Sequence, residues 1–222
     1  MARQESSGPV PPRAARVRLG RLVPADVDTL DGDDDLDEVE WRDHHVEEMA
    51  WTGRRRVTSS RLAGVRAHEW KAPGASLTAS VLEGVEVTAL SASGSSWWNV
   101  EVDRSRIGSA ELYDATWRNV AFAHCKLGYL NLRGAALTDV AFTDCTIAEL
   151  DLGRATATRL SFAGCRIDRI ELNGSRLTDV DLRGARLADV GSLDGLRGAT
   201  ITVEQLLDLA PALAQRLGVH ID

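Results

Sequence analysis

An apolar residue returns at every fifth position from Phe122 to Leu187, and this strict spacing constrains the fold more than any other feature of the sequence. An α-helix repeats every 3.6 residues and a β-strand every two, so neither element produces a period of five. A short fixed period is typical of solenoids, in which each repeat packs on its neighbours. The series consists of Phe122, Leu127, Leu132, Leu137, Phe142, Ile147, Leu152, Ala157, Phe162, Ile167, Leu172, Leu177, Leu182 and Leu187.

A second series of small or apolar residues lies two positions before the first and includes Val120, Cys125 and Leu130. Two side chains in every five therefore point inward, and three point outward. The outward positions hold nearly all the charged residues, glycines and asparagines of the segment. Each unit of five is therefore predicted to form one side of a coil and turn one corner.

Residue types match best at intervals of twenty, which predicts that four units close one coil. A three-sided coil would require matches at fifteen, and Phe122 against Leu137 does not match. In a four-sided coil each side chain lies above its equivalent one coil below. The predicted core files include Phe122, Phe142 and Phe162; Cys125, Cys145 and Cys165; and Leu132, Leu152 and Leu172.

Four runs resemble the A(D/N)LXX pattern of the pentapeptide-repeat family: 131–135, 151–152, 171–175 and 181–185. The resemblance covers most of the chain. It implies an all-β solenoid, specifically a right-handed quadrilateral β-helix. In the best-known members of the family it also implies a dimeric, DNA-like rod that binds DNA gyrase.

The chain of 222 residues divides into three predicted segments: a flexible Pro/Arg-rich and then acidic segment over 1–38, the β-helix over 39–201, and a C-terminal helix over 202–222. The faint lattice of Trp41, Val46 and Trp51 marks the start of the coil, and an extra residue around 54–56 restores the phase. The first twenty residues lack the apolar stretch of a secretory signal, and no apolar run is long enough for a membrane span. We therefore expect a cytoplasmic protein.

The acidic run over 31–38 should repel itself and stay extended unless another group neutralises it. It does not fit a calcium loop, because the sixth residue from Asp31 is Leu36 instead of the required glycine. His44 and His45 beside Glu47 lack the spacing of a helical zinc site. The sequence therefore predicts no metal site in this segment.

Tryptophans are predicted on both sides of the wall. Trp97 and Trp117 share an inward file, where large rings in adjacent layers fill a core by offset stacking, although a ring pair also suits a ligand pocket. Trp98 is predicted to lie outside, among serines and Asn99.

An outward file of threonines is formed by Thr138, Thr158 and Thr178. It either hydrogen-bonds along the stack or serves as a docking surface. The candidate contact residues are Trp98, Thr138, Thr158 and Thr178.

The three cysteines fall on one inward file. Side chains that point the same way cannot surround a tetrahedral zinc ion, and parallel side-chain vectors suit a disulfide poorly. We expect buried free thiols that act as small hydrophobes.

The five-residue spacing shifts by one residue after Leu187, and Leu196 and Ile201 predict a last partial coil. Thr202 and Gln205 form a capping box that should begin a helix, in which Pro211 introduces a kink or a break. The helix either covers the end of the solenoid or pairs two subunits as a homodimer. The apolar positions that would do so are Leu206, Leu207, Ala210, Leu213 and Leu217.

Binding is the function class that the surface favours. The sequence contains no phosphate loop, nucleophile motif or metal-ligand cluster, so no enzyme activity, catalytic residue or cofactor is predicted. DNA carries a negative charge about every 1.7 Å, whereas residues 57–197 contain 17 acidic and 16 basic residues. We therefore predict a protein-interaction or scaffolding module with an unidentified protein partner and no direct contact with nucleic acid or membrane. The alternative is a DNA mimic that binds DNA gyrase, of the quinolone-resistance type.

Overall fold

A computed structural model describes residues 8–13 and 15–219. They form a parallel β-solenoid of about 9 turns followed by a single C-terminal helix. The fold class predicted from the five-residue lattice is therefore confirmed.

The described residues form twenty strands, and strands of successive coils pair in parallel to make two sheets. The first sheet contains β1 (Val23–Pro24), β2 (Leu36–Asp37), β3 (Val39–Arg42), β5 (Arg56–Thr58), β6 (Arg61–Ala63), β8 (Ser76–Glu83), β10 (Ser96–Asp103), β12 (Thr116–Ala123), β14 (Ala136–Thr143), β16 (Thr156–Ala163), β18 (Arg176–Asp181) and β20 (Ala199–Thr200). The second contains β4 (His45–Ala50), β7 (Arg66–Lys71), β9 (Glu86–Ser91), β11 (Arg106–Glu111), β13 (Lys126–Asn131), β15 (Thr146–Asp151), β17 (Cys165–Glu171) and β19 (Ala185–Val190). Short 3-10 turns cover Val27–Leu30 and Leu193–Leu196.

The coil has four faces, each named here by the buried residues at its centre. The first face is centred on Leu77, Trp97, Trp117, Leu137, Ala157 and Leu177; the second on Leu82, Val102, Phe122, Phe142 and Phe162; the third on Val87, Ile107, Leu127, Ile147 and Ile167; and the fourth on Ala92, Leu112, Leu132, Leu152 and Leu172.

Residues twenty apart are direct partners in the ladder, so like side chains stack through the core. The rings of Phe122 and Phe142 have centroids 4.9 Å apart, and those of Phe142 and Phe162 are 5.1 Å apart. Trp97 and Trp117 stack at 5.0 Å. Each of these rings is at most 3% exposed, so the interior is a continuous aliphatic and aromatic column.

Three of the four corners in a regular coil require a left-handed backbone. The residue two positions after the centre has a positive φ there, as in Asn119 (φ 54) and Gly134 (φ 67). Glycine adopts this conformation without a Cβ clash, and asparagine and aspartate tolerate it better than other residues. This explains why those residue types recur at the corners.

The N-terminal end of the solenoid is closed around Arg55, whose side chain is buried between two tryptophans. Its guanidinium carbon lies 6.0 Å from the ring centroid of Trp41 and 5.4 Å from that of Trp51. The same group donates hydrogen bonds to the carbonyl oxygens of Thr29, Leu30 and Asp34. Burial lowers the pKa of Arg55, and the charges of the surrounding aspartates oppose that shift. The acidic run is therefore attached to the end of the solenoid through backbone hydrogen bonds to Arg55, and its carboxylates remain exposed.

The solenoid begins earlier than Val39, where the faint lattice places its start. Strands β1 and β2 already pair with later strands, and Gly32 forms a bridge with Trp51. Partners are 21 residues apart from Leu36 with Val57 to Ala50 with Lys71, and twenty apart from Arg56 with Ser76 to Ile170 with Val190. The pairs outside these ranges have other spacings, such as 16 for Val23 with Val39 and 19 for Val180 with Ala199. The first coil has no five-residue lattice, because its interior is filled by Arg55 and tryptophans instead of a regular apolar series.

Residues 8–13 and 15–22, here called the strap, lie along the outside of the solenoid. The backbone N–H groups of Val10, Arg13 and Val17 donate to side-chain carboxylates of Asp179, Asp139 and Glu101, respectively. The strap therefore spans from the last regular coils towards the first. The Pro/Arg composition of this segment predicts only a flexible leader, so these contacts are an additional finding.

The C-terminal helix, α1, covers Val203–Arg216 and begins at the predicted capping box of Thr202 and Gln205. It continues through Pro211 without a break. The Gln205 amide donates to the carbonyl oxygens of Leu182 and Ala185, which satisfies two backbone acceptors at the end of the solenoid. Within the described ranges, no helix has the length and apolar content that a membrane span requires.

Candidate interaction surfaces

One outward file of the first face collects all the surface residues that the sequence singled out. Trp98 pairs with Thr78 on one side and Arg118 on the other, and Arg118 pairs in turn with Thr138. The complete threonine file, as we call it, is Thr58, Thr78, Trp98, Arg118, Thr138, Thr158 and Thr178. The five-residue pattern predicts Trp98 and the three threonines as separate contact candidates, and it does not single out Arg118, which connects them.

The first face is almost uncharged in its middle. A second outward file runs parallel to the threonine file on the same face and consists of Ser76, Ser96, Thr116, Ala136 and Thr156. Between Ser76 and Thr158, Arg118 is the one charged side chain in these two described files. The surface therefore consists of hydroxyl and methyl groups around one indole and one guanidinium.

The hydroxyls of the threonine file are free to meet a partner. Among the described residues, no side-chain hydrogen bond links Thr138, Thr158 and Thr178 to one another or to the backbone. A ladder of hydroxyl bonds along the stack, one of the two roles open from the sequence, is therefore absent from the described structure. The side chains are nevertheless ordered by their β-branched shape, which restricts χ1.

Trp98 is the exposed anchor of this face. It is 54% exposed, whereas Trp97 beside it is 3% exposed because successive strand residues point to opposite sides of the wall. An exposed tryptophan can bury a large area on binding and retains an N–H donor for the partner. Tyr113, on the fourth face, is 45% exposed and has no comparable neutral surroundings, so it provides a comparison within the same chain.

Charges elsewhere on the solenoid neutralise one another between coils. Glu83 pairs with Arg61 and with Arg104. Asp151 pairs with Arg133 at 2.6 Å, and Asp189 pairs with Arg169 at 2.8 Å. These alternating pairs leave no described face with the one-sided negative charge of a DNA backbone.

The third face carries a shallow groove whose floor is bare backbone. Gly108 and Gly128 occupy successive coils there, and Arg106 and Lys126 lie along one edge. A Cβ built on Gly128 would lie 2.0 Å from the carbonyl oxygen of Gly108. The glycines thus allow the backbones of adjacent coils to approach closely. This packing requirement explains why glycine occurs at both positions without a bound ligand.

The core residues do not form a reactive centre. Cys125, Cys145 and Cys165 are free and buried, and each thiol donates to a carbonyl two residues earlier. Hydrogen bonding to Cys145, together with burial, raises the pKa of Cys125 and Cys165. Across the described ranges, no group of three or more histidine, cysteine or acidic side chains could hold a metal ion.

The predicted pairing face of α1 is open to solvent. Leu206, Leu207 and Leu217 are 47%, 67% and 79% exposed, and Ala210 is exposed as well. Leu213 is half-buried, on the side of the helix that faces the solenoid. The helix therefore contacts the end of the solenoid through one side and presents an apolar surface on the other.

The four-sided coil, its twenty-residue register and its outward files define a class of protein, the parallel β-solenoid. Residues 115–191 match a family model described as a pentapeptide repeat region. This segment of the chain is therefore a pentapeptide-repeat region, and the resemblance noted in the sequence is confirmed.

Two solved structures with a similar fold are trypsin-treated variants of QnrB1, a plasmid-mediated fluoroquinolone resistance protein. The first is 14% identical, with 85% of this chain and 90% of that chain covered and a TM-score of 0.31. The second is 13% identical, with 85% and 100% covered and a TM-score of 0.26. No curated protein matches the sequence.

Proposed function

We propose that this protein is a non-enzymatic interaction module whose first face binds a protein partner. The observation that carries the proposal is the exposed Trp98, which lies next to Arg118 in a file whose other members are threonines. Tryptophan and arginine are the residues that most often dominate binding energy at protein interfaces. The threonine file adds a stiff surface, so little side-chain entropy is lost when a partner packs against it.

The size of the face suits a protein partner better than a small ligand. Seven residues stacked at ~4.8 Å extend over about 29 Å, which is the scale of a standard protein interface. The two outward files lie on the outer side of a β-sheet, whereas small-molecule sites are usually concave pockets.

A photo-cross-linking residue at Thr138 should capture the partner in cells of the source organism, after which the complex can be reconstituted. We expect Trp98→Ala to weaken the purified complex at least about thirtyfold, which corresponds to ~2 kcal/mol for an interface hot spot. Tyr113→Ala is the matched control and should leave the affinity unchanged. Equal affinities for the two variants would refute the assignment of this face.

The cross-coil ion pairs argue against DNA mimicry as the mode of binding, because a mimic needs a continuous acidic surface. A supercoiling assay with purified DNA gyrase tests this directly. We expect no inhibition of supercoiling at micromolar protein. Inhibition that is lost when Asp or Glu residues on one face are neutralised would replace our proposal with the mimic.

The exposed apolar side of α1 supports a homodimer in which two helices pair. Leu206→Asp combined with Leu207→Asp places charge on that surface without touching the half-buried Leu213. The double variant should halve the mass measured by light scattering, whereas Asp208→Ala, on the same helix, should not. An unchanged mass in the double variant would assign α1 to covering the end of the solenoid alone.

A further inference from the structure

The strap buries side chains against the solenoid at regular intervals. Pro9 and Pro12 are half-buried and Ala15 is buried, whereas Val10 and Arg13 are exposed. Burial at every third position is the pattern of a polyproline II helix, which has three residues per turn. One edge of this extended segment therefore faces the solenoid over its whole first half.

The strap and the solenoid share a common spacing. Val10 and Arg13 are three residues apart, and their N–H groups donate to Asp179 and Asp139, respectively. These two aspartates are two coils apart at the corner that follows the first face, where the residues in successive coils are Asn99, Asn119, Asp139, Arg159 and Asp179. Three residues of polyproline II advance ~9.3 Å, and two coils advance ~9.6 Å. The spacing of these two N–H groups therefore matches the spacing of these two carboxylates. The third contact, from Val17 to Glu101, lies four residues further along the strap and in the neighbouring file.

The acceptor in the middle of the corner is held in place by the solenoid itself. Asp139 is 5% exposed, and Arg159 one coil away donates to both of its carboxylate oxygens, at 2.6 and 2.7 Å. The hydrogen bond to Arg159 lowers the pKa of Asp139, and the bond from the Arg13 N–H acts in the same direction. Because the carboxylate receives a backbone N–H from the strap, this contact does not depend on the side chain of the peptide.

The outward file next to this corner has small side chains in its middle, where the strap crosses between its outer two acceptors. It changes from Glu101 to Ala121, Ala141 and Ser161 and then to Asp181, and the three small residues are half-buried. They occupy the coils between Glu101 and Asp179, the outer two carboxylates that accept from the strap. We call this channel, from Glu101 to Asp179 with its small-residue floor, the corner groove.

We propose that the corner groove is a docking site for extended peptides with proline or another small apolar residue at every third position, and that the strap occupies it in the free protein until such a partner segment exchanges with it. The inference deepens the proposed interaction function and rests on it. The strap defines the chemistry of the ligand: backbone N–H donors spaced to meet Asp179 and Asp139, with short apolar side chains between them. Binding in this mode accepts many sequences that share the spacing.

Ala15→Asp in the full chain tests the proposal, because it places a carboxylate at the buried centre of the strap beside the acidic acceptors and leaves the solenoid unchanged. The probe is a fluorescein-labelled synthetic peptide with the sequence of residues 8–22, followed by fluorescence anisotropy. In the wild-type chain the tethered strap competes at an effective concentration in the millimolar range. We therefore expect the probe to bind the variant at least about tenfold more tightly than the wild type.

A second variant blocks the groove. Ala15→Asp combined with Ala141→Arg should abolish probe binding, while the circular dichroism spectrum stays that of the wild type. Trypsin cleavage after Arg16 and Arg18 reports whether the strap is released, and it should be faster in Ala15→Asp. Equal probe affinity for the wild type and Ala15→Asp, unchanged binding to the blocked variant, or unchanged cleavage would each overturn the proposal.

Light scattering separates a partner peptide from a second copy of the chain. If the strap docked on a neighbouring copy, Ala15→Asp would convert a dimer to a monomer. That result would mean that the occupant of the corner groove is the strap of a second subunit and not a partner peptide. We expect the mass to be the same for both proteins. Failure of the peptide test would leave the Trp98 and Tyr113 comparison untouched, so the two proposals can fail independently.

Discussion

Truncation of Phe142 should reveal how much the stacked core contributes to stability. Phe142 is 1% exposed and stacks on Phe122 at 4.9 Å and on Phe162 at 5.1 Å. Replacement of a buried phenylalanine by alanine typically costs about 3 to 5 kcal/mol, because apolar burial is lost and a cavity remains. We expect Phe142→Ala to fall in the upper part of that range, since the neighbouring coils are held apart by their backbone ladder and cannot collapse into the space.

Phe162 provides an internal comparison, because its ring stacks on Phe142 on one side and has Leu182 in the next coil on the other. Phe162→Ala therefore removes one aromatic pair where Phe142→Ala removes two. An aromatic pair contributes about 0.5 to 1.5 kcal/mol beyond its buried area, so the two variants should differ by that amount. Thr143→Ala, exposed and adjacent to Phe142, should change stability by less than about 0.5 kcal/mol.

Urea unfolding followed by tryptophan fluorescence and far-ultraviolet circular dichroism measures these differences. Coincident transitions from the two signals, with an unchanged slope, allow the midpoints to be compared as free energies of unfolding. A loss below about 1 kcal/mol for Phe142→Ala, or an equal loss for Phe142→Ala and Phe162→Ala, would refute the stacking argument.

Three further predictions concern the N-terminal end, the third face and the corner groove. Arg55→Met should destabilise the protein by about 1 to 3 kcal/mol in urea unfolding, since it leaves the carbonyl oxygens of Thr29, Leu30 and Asp34 without their donor, and the exposed neighbour Arg54→Met should have little effect. Gly128→Ala should lower thermal stability by about 1 to 3 kcal/mol, because its Cβ would clash with backbone of the adjacent coil, whereas Gly20→Ala has no atom within 4 Å and should be neutral. The lowered pKa of Asp139 means that its contribution to stability is present above the ordinary carboxyl pKa of ~3.9 and is lost as the pH falls through the folded value. The urea midpoint of the wild type should therefore decrease as the pH is lowered below ~3.9, and Asp139→Asn should remove this part of the pH dependence.

The regular coils could be predicted from the sequence because every structural requirement repeats in it. The five-residue lattice fixes which side chains point inward, and the matches at twenty fix the number of sides. The same arithmetic already places Trp98 forty residues before Thr138, although the sequence alone did not bring them together as one surface. The capping box of Thr202 and Gln205 was readable because its residues are neighbours in the chain.

The ends and the strap could not be predicted in this way, because their contacts join residues that no local pattern connects. Arg55 meets the acidic run only after the first coil has formed. Asp139 and Asp179 become a row of acceptors only when the coils stack, and nothing in a Pro/Arg-rich segment indicates that its N–H groups are spaced to meet them. The three-residue spacing of Pro9, Pro12 and Ala15 is visible in the sequence. It indicates a docked strap only when it is compared with the height of two coils, which requires the structure.

Spin labels on the outer wall test the four-sided stacking of coils most directly. The three native cysteines are buried, so labels attach to cysteines introduced in the pair Thr138→Cys with Thr158→Cys, twenty residues apart, or Thr143→Cys with Thr158→Cys, fifteen apart. The first pair are direct ladder partners, whereas Thr143 pairs with Ala163 on the second face. Strong dipolar broadening for the first pair and clearly weaker broadening for the second is the expected result; the reverse order would mean that the coil does not have four sides.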